Sequence, residues 1–119
     1  MALISFSDAI TMATDSEAWM KKVSDFIKDP VNNPVPTDIY ATQKLAFEID
    51  KKEMEDLVAA SEKIVGILGY EAGSDSLSVI FVGTDKNYTP SVGNPPRQTW
   101  PTLKGNDDLN DVLNIYLKP

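Results

Sequence analysis

The sequence predicts an α+β fold: a single domain over residues 1–119, with a small antiparallel or mixed sheet of three to four strands packed with helices. Three observations carry this expectation. The segment KLAFEID (44–50) alternates strictly, with Leu45, Phe47 and Ile49 on one face and charged or small residues on the other. Two apolar arms, 64–72 and 77–84, flank the turn residues Gly73, Ser74, Asp75 and Ser76, the pattern of a β-hairpin. Apolar residues at helical spacing dominate both ends of the chain.

In chain order the expected arrangement is α-α-β-α-β-β-(β)-α. Ser5 caps a first helix, with Asp8 three residues on and Phe6, Ile10 and Ala13 on one face. TDSE (14–17) repeats that capping box, so Thr14 is expected to start a second helix. Its stripe is Trp19, Met20, Val23, Phe26 and Ile27, and it ends at Asp29–Pro30, because the residue before a proline is pushed out of the α region. PVNNPVPT (30–37) has three prolines in eight positions and reads as a connector.

After the strand at 44–50, Asp50 stands three residues before Glu53. This predicts a capped helix through about Lys63, with Met54, Leu57, Val58 and Ser61 inward and Glu53 reaching back to the cap. LSVIFVG, the second hairpin arm, is apolar on both faces apart from Ser78, which places it in the middle of the sheet. Residues 85–105 carry four prolines and two glycines and read as a long irregular loop, with a short strand at QTW (98–100). NDDLNDVLNIYL closes the chain as a helix capped by Asn106, with Leu109, Val112, Leu113, Tyr116 and Leu117 on its apolar side.

Composition narrows function by exclusion. The chain has neither cysteine nor histidine, so thiolate nucleophiles, Cys/His zinc sites and histidine triads do not arise. Eighteen carboxylates against eleven cations give a net charge of −7, which disfavours nucleic acid and anionic membrane as partners. No segment offers the roughly 20 apolar residues that span a bilayer, and MALISFSDAI lacks the basic start of a secretory signal. A cytoplasmic location is the expectation. GTDKN (83–87) and GNDDLND (105–111) resemble calcium loops but lack the Asp-x-Asp-x-Asp-Gly order. The glycines at 66, 69 and 73 do not form a phosphate loop. No catalytic residue, metal ligand or cofactor is expected.

One stretch stands apart. SVGNPPRQTWP (91–101) holds the sole arginine, one of two tryptophans and three of eight prolines. Arg97 could clamp an anionic ligand beside the aromatic rings of Trp100, Tyr88 and Tyr40. Alternatively it pairs with a local aspartate or stacks on Trp100, while Trp100 anchors the loop against the core. The structural account is the preferred one.

FSDAI near the start, AFEIDKKEMEDLVA, and IVGILGYE followed by SLSVIFVGTDKN resemble a group of small bacterial hypothetical proteins. In these an aromatic strand and a short helix precede a hairpin with a valine-rich arm and a Gly-x-Asp-x-x-Asn turn. The resemblance covers roughly residues 5–14 and 45–87 and is poorest at 90–102. It implies an α+β architecture and brings no site residues. Taken together, the expected role is a non-enzymatic binding or protein-interaction module, with a protein partner or a second copy of the chain as its target. The alternative is an anionic-ligand binder or hydrolase built on the 85–105 loop.

Overall fold

The computed structural model describes residues 2–34, 46–74, 76–101 and 109–118. It is an α+β arrangement of a four-stranded antiparallel sheet, a two-stranded ribbon and three helices among those residues. The strands are β1 (Ala2–Leu3), β2 (Phe47–Glu48), β3 (Lys63–Glu71), β4 (Ser76–Thr84), β5 (Arg97–Gln98) and β6 (Trp100–Pro101). The helices are α1 (Phe6–Lys28), α2 (Lys51–Ala59) and α3 (Leu109–Ile115). The main sheet runs β1-β5-β4-β3 and the ribbon pairs β2 with β6. No helix among the described residues is long and apolar enough to cross a membrane.

The two expected N-terminal helices are one. Ser5 does cap it, its hydroxyl accepting from the Asp8 N–H at 3.0 Å, but α1 then runs through TDSE without a break. Thr14 bonds back instead, its hydroxyl donating to the Ile10 carbonyl at 2.8 Å as a helical Thr can. The reason lies in the buried stripe Ala9, Met12, Ser16 and Trp19, which crosses the second box at helical spacing. A continuous helix lays both halves of that stripe on the sheet; a cap at Thr14 would need non-helical backbone in the middle of it. Ala9 and Met12 pack with Ile80 and Val82, and Ile4 and Phe6 close the edge of this core. The helix ends at Asp29, as expected from Pro30. There Asn33 donates to the Asp25 and Asp29 carbonyls, and hydrogen bonds, first from the Asn32 amide side chain, hold the Asp29 carboxyl below its usual range.

The hairpin forms as predicted, with nine paired positions from Lys63↔Thr84 to Glu71↔Ser76. β4 is interior, as its two apolar faces require. Of the strand expected at 44–50, Phe47 and Glu48 pair in the ribbon, while Lys44 and Leu45 lie outside the described residues. Its partner is β6, with Phe47 opposite Pro101 and Glu48 opposite Trp100. Asp50 leaves the strand to cap α2, accepting from the Glu53 N–H at 3.0 Å. That helix stops at Ala59, four residues short of Lys63, because β3 claims Lys63 for the sheet. Leu57 is fully buried, but Val58 is exposed, so the inward stripe is narrower than expected.

The single strand expected at 98–100 is two strands in different sheets. Thr99 is the switch. Its N–H donates to the Val79 carbonyl at 2.9 Å, and its hydroxyl also engages both backbone groups of Val79. Arg97 and Gln98 precede it in the main sheet; Trp100 and Pro101 follow it in the ribbon. β1, two residues paired to β5, carries no periodicity and is not foreseen from the sequence. Leu113 in α3, and Tyr116 and Leu117 just after it, are exposed, so the expected burial of that stripe does not hold; the expected caps at Asn106, Asp107 and Asp108 lie outside the described residues.

Gly83 sits where α2, the sheet and the following loop meet. A Cβ there would overlap Ser61 Oγ and stand 2.8 Å from Asn94 Nδ2, contacts that only glycine avoids. Gly83→Ala is expected to destabilise the fold by roughly 1–3 kcal/mol, read as a lowered urea midpoint at unchanged slope.

Candidate functional site

Arg97 is buried, only 6% exposed, in the interior of the main sheet's β5. A guanidinium there needs partners for its N–H groups. Its Nε donates to Glu53 Oε2 at 3.4 Å, and its Nη1 to Asn94 Oδ1 at 2.7 Å and the Pro95 carbonyl at 2.6 Å. Asn94 continues the chain of contacts, its Nδ2 donating to Ser61 Oγ at 3.0 Å. One network thus joins the first turn of α2, the end of that helix, the loop before β5 and the sheet itself. The charged partner is neither a local aspartate nor Trp100 but Glu53, 44 residues earlier. Glu53 does not reach back to its cap; its carboxylate turns to the arginine. This pairing carries no sequence signal, since the helix start explains a glutamate at that position equally well.

Of the other three residues singled out in the sequence, the two that are described, Tyr88 and Trp100, do not gather around Arg97. Tyr88 is 64% exposed and sits at the turn after β4 with a left-handed φ of 64°. Its partner is Lys63, whose Nζ donates to the hydroxyl at 3.1 Å and lies 4.2 Å from the ring centroid, a cation–π contact at the start of β3. Trp100 pairs across the ribbon with Glu48 and is 43% exposed. It does not seal the core; Trp19, stacked on Tyr70 with ring centroids 6.3 Å apart, is the buried tryptophan. Tyr40 lies outside the described residues.

Asp85, the leading acid of the calcium-loop look-alike, is turned inward to its own turn. Its Oδ1 accepts the N–H groups of Asn87 and Thr89 at 2.8 and 3.0 Å. Beside this turn lies an open groove of about 510 Å³, lined by residues 59–62, 83–85 and 89–91. Its charged lining residues are Glu62 and Asp85, with no lysine or arginine among the ten, so its electrostatics repel anions.

The remaining conspicuous feature is β3. Among the described residues it forms one edge of the main sheet, while two-residue β1 forms the other. From Ile64 to Tyr70 it carries neither charge nor proline, the usual guards of a strand edge. Ile64, Ile67 and Leu68 are 37–40% exposed, on both faces of the strand. Its backbone directions follow from the ladder. Thr99 bonds the Val79 carbonyl, so Val79 faces β5 and Ile80, next along, faces β3. Ile67, opposite Ile80, therefore turns its backbone groups inward, and those of Gly66 and Leu68 point away from β4. Comparison with protein-family models, characterised proteins and solved structures gives no match.

Two outcomes test these placements. Arg97→Met is expected to cost about 2–4 kcal/mol in chemical denaturation, because it leaves Asn94 and Glu53 without their donor; Glu53→Gln, on the more exposed side of the pair, costs less. Acrylamide is expected to quench a single accessible tryptophan population, and Trp100→Phe to remove it while leaving the shielded Trp19 emission.

Proposed function

We propose that this protein is a non-enzymatic interaction module that binds a protein partner by adding a strand to the open edge of β3. The observation that carries the reading is the nine-residue edge strand with no charge or proline between Lys63 and Glu71 and with outward-pointing backbone at Gly66 and Leu68. Strand addition draws affinity from such main-chain groups and selectivity from the side chains beside them. Ile64, Ile67 and Leu68 supply an apolar rim that a partner strand would cover. The burial of Arg97 also favours this reading over an anion binder, because a ligand would have to displace Glu53 from it.

The edge is tested by Gly66→Pro. Proline removes the outward N–H without touching the bonds to β4, and Gly66 has ordinary space for a Cβ, with its nearest neighbours at 3.6 Å. The variant is expected to keep its fold by circular dichroism and to lose partners that the unmodified protein retains in a pull-down from its own cells. Recovery of the same partners by both proteins, or no partner together with strictly monomeric sedimentation, would overturn the reading.

A further inference from the structure

We propose that an internal water molecule is bound between α1 and the β3–β4 hairpin, held by the hydroxyls of Ser16 and Ser78 and by the indole N–H of Trp19. Ser16 Oγ, Ser78 Oγ and Trp19 Nε1 are buried and have no hydrogen-bond partner among the described residues. Their residues are only 2%, 3% and 7% exposed, so bulk solvent does not satisfy them. A buried hydroxyl or N–H without a partner is disfavoured, and an ordered water is the usual remedy. This site is independent of how the edge of β3 is used.

The three atoms belong to one place in the fold. α1 meets β3 at Gly69, where a Cβ would stand 3.4 Å from Met12 Cβ. Gly69 pairs with Ser78, and strand alternation puts Ser78 on the same, helix-facing side of β4 as Ile80 and Val82. One turn past Met12, Ser16 continues the buried stripe that α1 lays on the sheet. Trp19 follows three residues later. A long helical side chain leans back over the preceding turn, here toward Ser16, and the ring stacks on Tyr70, the neighbour of Gly69. Gln98 stands opposite Ile80 and Glu71 opposite Ser76. The 2.8 Å hydrogen bond from Gln98 Nε2 to Glu71 Oε2 therefore crosses β4 at the level of Ser78 and helps to shut it from solvent. Elsewhere in this interface Met12, Ile80 and Val82 fill the distance between helix and sheet. Two short serines beside a glycine do not bond to each other across it.

The chemistry of the three groups selects water. The indole only donates, whereas each hydroxyl both donates and accepts. A water molecule accepts from Trp19 and from one serine and donates to the other, which makes the three bonds typical of a buried water. None of the three groups is charged, so an ion gains no counter-charge from them, and an apolar ligand would leave all three unpaired. The bridge also fixes which turn of α1 sits over Gly69. Sliding the helix by one turn would bring the Met12 or Trp19 side chain against Ser78 and leave its hydroxyl unpaired.

The test pairs solution NMR with two small substitutions. In the unmodified protein, the Trp19 indole N–H is expected to show magnetisation transfer from water with the sign of a long-lived bound molecule. Ser78→Ala removes one partner from that water and is expected to lower the folding equilibrium constant about three- to tenfold in urea denaturation. In a Ser16→Ala background the same substitution is expected to cost only about twofold or less, because both hydroxyls act through one water. Comparing the two backgrounds cancels the helix propensity gained by alanine at position 16. The indole–water contact is expected to disappear in the double variant. No such contact in the unmodified protein, a Ser78→Ala variant as stable as the unmodified protein or more so, or an equal cost in both backgrounds would each overturn the bridge.

Discussion

A single buried guanidinium organises the contacts around β5. Arg97 cannot be left in the interior without acceptors, and it takes them from three places: Glu53 on α2, Asn94 and the Pro95 carbonyl. Satisfying one side chain therefore ties a helix and a proline-stiffened loop to the sheet at once. Asn94 extends the network to Ser61, and the resulting crowding explains why position 83 of β4 holds glycine. β5 in turn supports β1 through the Leu3↔Arg97 and Ala2↔Gln98 pairs. Asp85, Asn94 and Thr99 add further polar bonds along this proline-rich segment, and Pro96 is fully buried within it.

The opposite half of the sheet is built on different physics. α1 lies on one face of the β3–β4 hairpin and buries Ile80, Val82, Ala9 and Met12 in an apolar core. Gly69 lets it approach closely: an added Cβ would stand 2.9 Å from Ile80 Cδ1 and 3.4 Å from Met12 Cβ. This packing protects the interior strand but leaves the outermost one half covered. Among the described residues β3 consequently exposes Ile64, Ile67 and Leu68 at the rim of the sheet, with its charges confined to the two ends. Isolated edge strands are usually broken by a central charge, a bulge or a proline. Their absence from seven consecutive positions, 64–70, directs the functional reading to this edge.

The hairpin, the Ser5 and Asp50 caps, the stop at Asp29 and the interior place of β4 were all legible in the sequence. Each depends on interactions within a few residues or on strict periodicity along one segment. The continuous α1 was misread because two valid capping boxes occur in succession; packing of the shared stripe against the sheet chose one of them. The split at Thr99 was not legible, because its bonds to Val79 join residues 20 positions apart.

Arg97 illustrates the boundary between the two kinds of information. Its rarity in an acidic chain marked it from the start, and an ion pair was one of the roles open to it. Which carboxylate it meets could not be read locally, because Glu53 is 44 residues away and already had a sufficient reason to stand at a helix start. The same holds for β3: its apolar run predicts a strand, but whether that strand lies inside the sheet or on its rim depends on what pairs beside it. Composition and short-range pattern thus set most of the elements and excluded cysteine and histidine chemistry. Long-range pairing placed Arg97 in the interior and β3 at the edge, because burial and hydrogen-bond partnership are properties of neighbours in space.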